Sequence, residues 1–294
     1  MSLAPRAVLV HRRTQYAEAV ARHGTPGAAD FFLRQRGGSL DDLAAADDQQ
    51  RAALATVAAA VPADWRTGTV ERAELSRFLF APEDVVVVVG QDGLVANVAK
   101  YLAGQTVVGI DPAPGRNAGV LVPHRASQAR DLLHRSLSEG VCEQRTMVCA
   151  TTDDGQELHA LNEVFVGHRS HQTSRYVLRC GERREEQASS GLVVGTGTGA
   201  TGWLASLARA RGGAALPGAT DPALAWFVRE AWPSPTTGAD LVAGTLAQES
   251  LTVDVLSDDL VVFGDGVEED RLTVSRGQHL HVRVSPRHLA LLRR

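Results

Sequence analysis

The spacing of apolar residues changes character near residue 123. Before that point, short continuous apolar runs alternate with amphipathic stretches. Residues 7–10 (AVLV) read as a strand, 14–23 as a helix stopped by Gly24, and Ser39-Leu40-Asp41-Asp42 as a capping-box-like start of a helix reaching about Val61. The valine run 85–89 predicts a strand buried on both faces, because a central parallel strand is continuously apolar rather than alternating. Leu94, Val95, Val98, Tyr101 and Leu102 then fall on one face of a helix, which Gly104 ends. Residues 107–110 form the next strand, so 85–110 is a strand, tight loop, helix and strand. A parallel crossover of this kind implies an α/β layer.

Beyond Pro123, period-two runs dominate: 157–166, 176–180, 192–194, 251–256, 260–263 and HLHVRV at 279–284. This half is expected to be mostly β, interrupted by a helix over 203–211 and by another opening at Asp221-Pro222, where Asp can cap and Pro suits the first turn. Residues 233–238 read as a loop. No internal repeat or low-complexity tract interrupts the pattern.

At 294 residues the chain suggests two domains of roughly 150 residues. A formal charge of -4 with 22% charged residues gives no basic face for nucleic acid. The N-terminus lacks a long apolar stretch, and the most apolar run is far short of the roughly 20 residues that cross a bilayer, so no membrane association and a cytoplasmic location are expected. Cys142, Cys149 and Cys180 are odd in number and lack CxxC spacing, which argues for reduced thiols rather than a disulfide framework.

Four short stretches could carry chemistry. Gly90-Gln91-Asp92-Gly93 lies between the valine strand and a helix, where ligands collect beyond strand ends and helix N–H groups face phosphate. Asp92 there either accepts a proton from a substrate hydroxyl or only caps a turn. Gly195-Thr196-Gly197-Thr198-Gly199-Ala200-Thr201-Gly202 follows a strand and precedes a helix, but lacks the lysine of a P-loop and the spacing of a dinucleotide fingerprint. Asn162-Glu163 sits within an alternating run, so one of two adjacent polar side chains must face inward and find a partner, in backbone or ligand. Asp265-Gly266 has the form of a hairpin turn. His168 and His171 form HxxH without a third ligand in view, no GxSxG elbow is present, and Lys100 reads as a solvated or phosphate-steering charge.

Taken in order, these four stretches resemble the NAD kinase family over nearly the whole chain, whose GGDG loop, Asn-Glu pair, Gly/Thr-rich loop and late Asp-Gly correspond to 90–93, 162–163, 196–203 and 265–266. ALNEVFVG, SSGLVVGTGTGATGW and VVGIDPAPGRNAGVLVP are most similar to the mitochondrial-type branch. The resemblance implies a parallel, doubly wound α/β N-terminal domain over 1–123, joined by a returning segment at about 280–294, and a β-rich dinucleotide-binding domain over 124–279. It implies transfer of the γ-phosphoryl group of ATP, arriving with Mg²⁺, to the 2′-hydroxyl of the adenosine ribose of NAD(H), with Asp92 as general base. Gly93, Asn162, Glu163, Thr198, Thr201, Gly202, Trp203 and Ser206 would then bind the acceptor. Gly90, Gln91, Gly93, Asp265 and Gly266 would lie toward the phosphate donor. No protein-built metal cage is implied, since Mg²⁺ is held largely by phosphates and water. Homodimers or homotetramers are usual in the family. Gln91 replaces its second loop glycine and Leu94 a following threonine, while Ser190 stands where many members have an aspartate. These departures leave open a non-catalytic NAD-binding homologue, a donor such as polyphosphate, or a kinase for another adenosine-containing acceptor.

Overall fold

The computed structural model describes residues 4–116, 119–138 and 140–293. The first part of the chain supplies β1 (Arg6–His11), α1 (Gln15–His23), α2 (Pro26–Arg34), α3 (Leu40–Ala60), β2 (Arg66–Glu71), β3 (Asp84–Val89), α4 (Asp92–Ala99), β4 (Thr106–Asp111), β5 (His124–Arg125) and α5 (Ala129–Arg135). The remainder supplies β6 (Cys142–Thr152), β7 (Glu157–Ala160), β8 (Glu163–His168), β9 (Ser174–Cys180), β10 (Arg183–Ser189), β11 (Leu192–Gly195), α6 (Trp203–Ala210), β12 (Leu224–Val228), β13 (Ala243–Leu246), β14 (Leu251–Val255), β15 (Leu260–Gly264), β16 (Val267–Val274) and β17 (His279–Leu292).

Two compact units result. The first comprises Met1–Val98, Gln105–Glu143 and Ala290–Arg294; the second comprises Ala99–Gly104 and Gln144–Leu289. In the first, β2, β1, β3 and β4 lie side by side in that order, all parallel, and Ala290 and Leu291 of β17 pair parallel with β4. Every residue of β3 is buried, as continuous valine requires. Val85, Val87 and Val89 share a core with Ala53 and Val57 of α3 and with Leu132 and Leu133 of α5. That packing ties residues beyond 123 to the first unit, which extends to Glu143.

The second unit holds antiparallel strands in two groups. β10, β9, β14 and the leading part of β17 form one; β13, β12, β11, β8, β15 and β16 form the other. Inward-facing residues of both, among them Val164, Val166, Tyr176, Leu178, Trp226 and Leu280, build one core. The fold is thus a parallel α/β unit with an antiparallel β-rich unit.

Two expected elements differ. Asp221-Pro222 does not open a helix: Asp221 accepts the Gly218 N–H at 2.7 Å, and after Ala223 the chain enters β12 between β11 and β13. LAWFV is buried at every position, and the demand of a central strand for bulky apolar residues overrides the local Asp-Pro signal. The run 157–166 is not one strand either, because it breaks at Leu161-Asn162 into β7 and β8.

Candidate functional site

In the first unit, strand order 2-1-3-4 places a reversal of direction between β1 and β3, and ligands of open α/β sheets bind beyond the carboxyl ends of the strands at such a point. The Gly90–Gly93 loop leaves β3 there. Gly90 donates its N–H to Ile110 O at 3.0 Å, holding the loop to the end of β4. Gln91 and Gly93 are exposed, and a Cβ on Gly93 would meet nothing within 4 Å. Asp92, half-buried in the first turn of α4, accepts three consecutive backbone N–H groups: Val120 at 3.0 Å through Oδ2, and Leu121 at 2.8 Å and Val122 at 3.1 Å through Oδ1. The clamped segment lies so close to β4 that a Cβ on Gly109 would meet Leu121 O at 1.9 Å. Asp92 is therefore an anchor as it stands, with acceptor capacity left on Oδ2. Arg12 and Arg13, exposed just beyond β1, bring positive charge to the same edge. Sequence reading passed over them, although a basic pair directly after an apolar strand was the available signal.

The other three stretches meet in the second unit. Leu161-Asn162-Glu163 turns the corner between β7 and β8, and Asp265 holds that corner by accepting the N–H groups of Leu161 (2.8 Å, Oδ2), Asn162 (2.7 Å, Oδ1) and Glu163 (3.4 Å, Oδ1). Asp265 and Gly266 join β15 to β16 with φ of 53° and 69°, the paired positive values that favour Asp-Gly in two-residue hairpins. From behind, the glycine-rich loop packs on the same corner. Thr196 donates its backbone N–H to Asn162 O at 2.8 Å and its hydroxyl to Leu161 O at 2.6 Å. Cβ atoms on Gly195 and Gly199 would meet Asn162 O at 2.7 and 2.5 Å. Those glycines are required by the protein's own close packing, quite apart from any ligand.

The corner leaves two polar side chains without a hydrogen-bond partner among the described residues: the Asn162 amide and the Glu163 carboxyl. Burial, with a smaller contribution from the Asp265 charge, pushes the Glu163 carboxyl up to about 7. The Thr198 hydroxyl is buried and likewise unpartnered. Thr201, Gly202 and Ser206 are exposed, and Trp203 half-buried, at the start of α6. Lys100 is neither solvated nor free for phosphate: it is buried, pairs with Asp270 at 2.8 Å, and shares that carboxylate with the Tyr101 hydroxyl at 2.6 Å.

On the Glu163 face of β8, Phe165 stacks on Trp203 at 5.9 Å and meets Phe263 at 5.1 Å. With His168, Arg229 and Arg271 these rings line a cavity of about 660 Å³, in which the Arg229 guanidinium lies 5.5 Å from the Trp203 ring centre. Aromatic walls with a few cations suit a flat ring carrying negative charge. Sequence reading found Trp203 but missed Phe165; its signal was the pair of glycines, 167 and 191, whose missing Cβ atoms make room for that ring.

The structure matches a crystal structure of an NAD kinase from Archaeoglobus fulgidus in complex with ATP, with a TM-score of 0.57 over 98% of this chain and 93% of that one. The chain has the fold of an NAD kinase. Sequence identity is 16%, so the likeness speaks for the fold. No protein-family model matches the chain, and no curated protein does. Among the described residues, no helix is long and apolar enough to cross a membrane.

Proposed function

We propose that the protein is an NAD kinase-like phosphotransferase, moving the γ-phosphoryl group of ATP to the 2′-hydroxyl of the adenosine ribose of NAD(H). The observation that carries this reading is the Asn162–Glu163 corner, where an amide and a carboxyl stand unpartnered on a backbone fixed by Asp265. A rigid pair of this kind suits neighbouring ribose hydroxyls and an adenine edge, because a ligand would satisfy groups the protein leaves open. Thr198, Thr201, Gly202, Trp203 and Ser206 complete the acceptor contacts, and Gly90, Gln91, Gly93 and Gly266 lie toward the donor, with Asp265 acting through the corner it holds. Mg²⁺ enters as the ATP complex, held by phosphates and water. Asp92 accepts the proton of the attacking hydroxyl through the remaining acceptor position on Oδ2. Its contribution assists a reaction whose barrier falls chiefly through positioning and charge stabilisation. By resemblance the protein assembles as a homodimer or homotetramer and is similar to the mitochondrial-type branch; the lack of a long apolar stretch is the ground for a cytoplasmic location.

Purified protein incubated with ATP, Mg²⁺ and NAD or NADH should yield the 2′-phosphorylated product. Absence of product with ATP and with polyphosphate overturns the reading. A second reading, a non-catalytic NAD-binding homologue, is favoured by exposed Gln91 in the loop and by the three N–H groups already on Asp92. It expects NAD to bind without turnover, and Gln91→Gly to restore none.

A further inference from the structure

In the second unit β6 and β7 pair antiparallel, with Cys149 directly opposite His159 and Thr151 opposite Glu157. Alternation sends Val148, Ala150, Leu158 and Ala160 into the core and leaves Cys149, Glu157 and His159 together on the other face. One ligand atom from each, a thiol sulfur, a carboxylate oxygen and an imidazole nitrogen, lies within 4.8 Å of the other two. Cys149 and His159 are buried while Glu157 is exposed, so the cluster opens to solvent along one side. Nothing in the linear spacing of the cysteines suggested this; the hairpin register makes it.

We propose that Cys149, Glu157 and His159 form a three-ligand site for a divalent cation of the zinc class, with water in the fourth position. Three lines support it. The donor set of sulfur, nitrogen and one carboxylate suits zinc and disfavours magnesium or calcium. Ser285 Oγ lies 3.0 Å from His159 Nδ1 and accepts the Arg287 backbone N–H, so it can also accept Nδ1–H and leave Nε2 for the ion. Ligating histidines are commonly oriented in that way. Nε2 already faces Glu157 Oε1 at 2.5 Å, the direction from which the ion would bind. The hydrogen-bonded chain Glu157–His159–Ser285 accounts for the histidine without an ion. It does not account for Cys149, whose thiol faces these groups with no hydrogen bond among the described residues. Arg287, paired to Glu157 at 3.1 Å, competes with the cation.

Co²⁺ titration of the whole protein, held reduced, reads the site through thiolate-to-cobalt charge-transfer absorption, independently of any kinase activity. The expected result is a saturable band at one equivalent that Zn²⁺ abolishes. Cys149→Ser should lose the band, and Ser285→Ala should weaken binding about 10–100-fold. Arg287→Ala, a change at an exposed position, should tighten it severalfold. Absence of the band in folded wild-type protein, or its persistence in Cys149→Ser, overturns the assignment. So does an Arg287→Ala variant that binds Co²⁺ no more tightly than wild type.

Discussion

Asp92 and Asp265 solve the same local problem in two unrelated settings. Each precedes a glycine, and each uses one oxygen for a single backbone N–H and the other for two more, holding three consecutive amides of a distant segment. Their surroundings differ. Asp92 heads α4 on a loop whose neighbours Gln91 and Gly93 are exposed, whereas Asp265 is folded behind the β7–β8 corner, where burial pushes its carboxyl up to about 6 against the three N–H bonds that favour the charge. One aspartate secures a segment and still presents itself; the other presents its neighbours, Asn162 and Glu163. A motif that reads identically in sequence can thus put either the acid or the backbone it grips in front of a ligand.

The comparison breaks most sharply at the level of rate. Asp92→Asn is expected to lower kcat by about 10²–10⁴-fold, the usual weight of a positioned general base. If kcat is unchanged, Asp92 is an anchor like Asp265 and nothing more. Asp265→Ala should act on stability instead, since it strips the acceptor from three backbone N–H groups; a loss on the order of 3 kcal/mol in urea unfolding is expected. An equal loss from Asp92→Ala would erase the distinction between the two settings. Next, Gly199→Ala drives a methyl to within 2.5 Å of Asn162 O and should cost about 1–3 kcal/mol, while Gly93→Ala, facing open space, should leave unfolding within about 0.5 kcal/mol of wild type.

The gentlest test uses pH. Glu163, raised from 4.5 to about 7, and Asp265, raised from 3.8 to about 6, hold protons in the folded state that the unfolded chain has already released. Well below pH 3.8 both states are protonated and neither group matters. As pH rises toward 7 the unfolded state is favoured, so stability falls across that window and levels above it. Glu163→Gln should flatten the upper part of the slope in unfolding midpoints measured from pH 4 to 8. A slope identical to wild type would mean the carboxyl is less buried than the structure places it.

Much of the parallel unit was legible because its signals are local: five valines and the apolar face of the following helix need no knowledge of the rest of the chain, although α4 ends at Ala99, short of Tyr101, Leu102 and the Gly104 stop that the pattern predicts. Strand β2 was not, because RTGTVE is half exposed and carries little apolar pattern. Helix α2 was missed although Thr25 caps it and Pro26 opens it, since it follows the Gly24 stop so closely. In the second unit, strand content was readable and its junctions were not. The break at Leu161-Asn162 is imposed by Asp265, about a hundred residues later, and the strand at LAWFV by neighbours on either side. Asn162-Glu163 stood out in sequence because adjacent polar residues in an apolar run need an explanation. Phe165, Arg229 and the Cys149–His159 pairing did not, because only register and sheet order bring them beside their partners.

The parallel pairing of Ala290 and Leu291 with Thr106 and Val107 has a temporal consequence. A ribosome must extrude the whole second unit before Thr106 and Val107 acquire that partner, so until then the leading end of β4, ahead of its pairing with β5, has an open side. During synthesis that side is a sticky ribbon of the kind other nascent chains can pair with. Early, vectorial completion of the N-terminal part is excluded by topology, and the interval between making β4 and making its neighbour is the stage at which chaperone occupancy on this chain should peak.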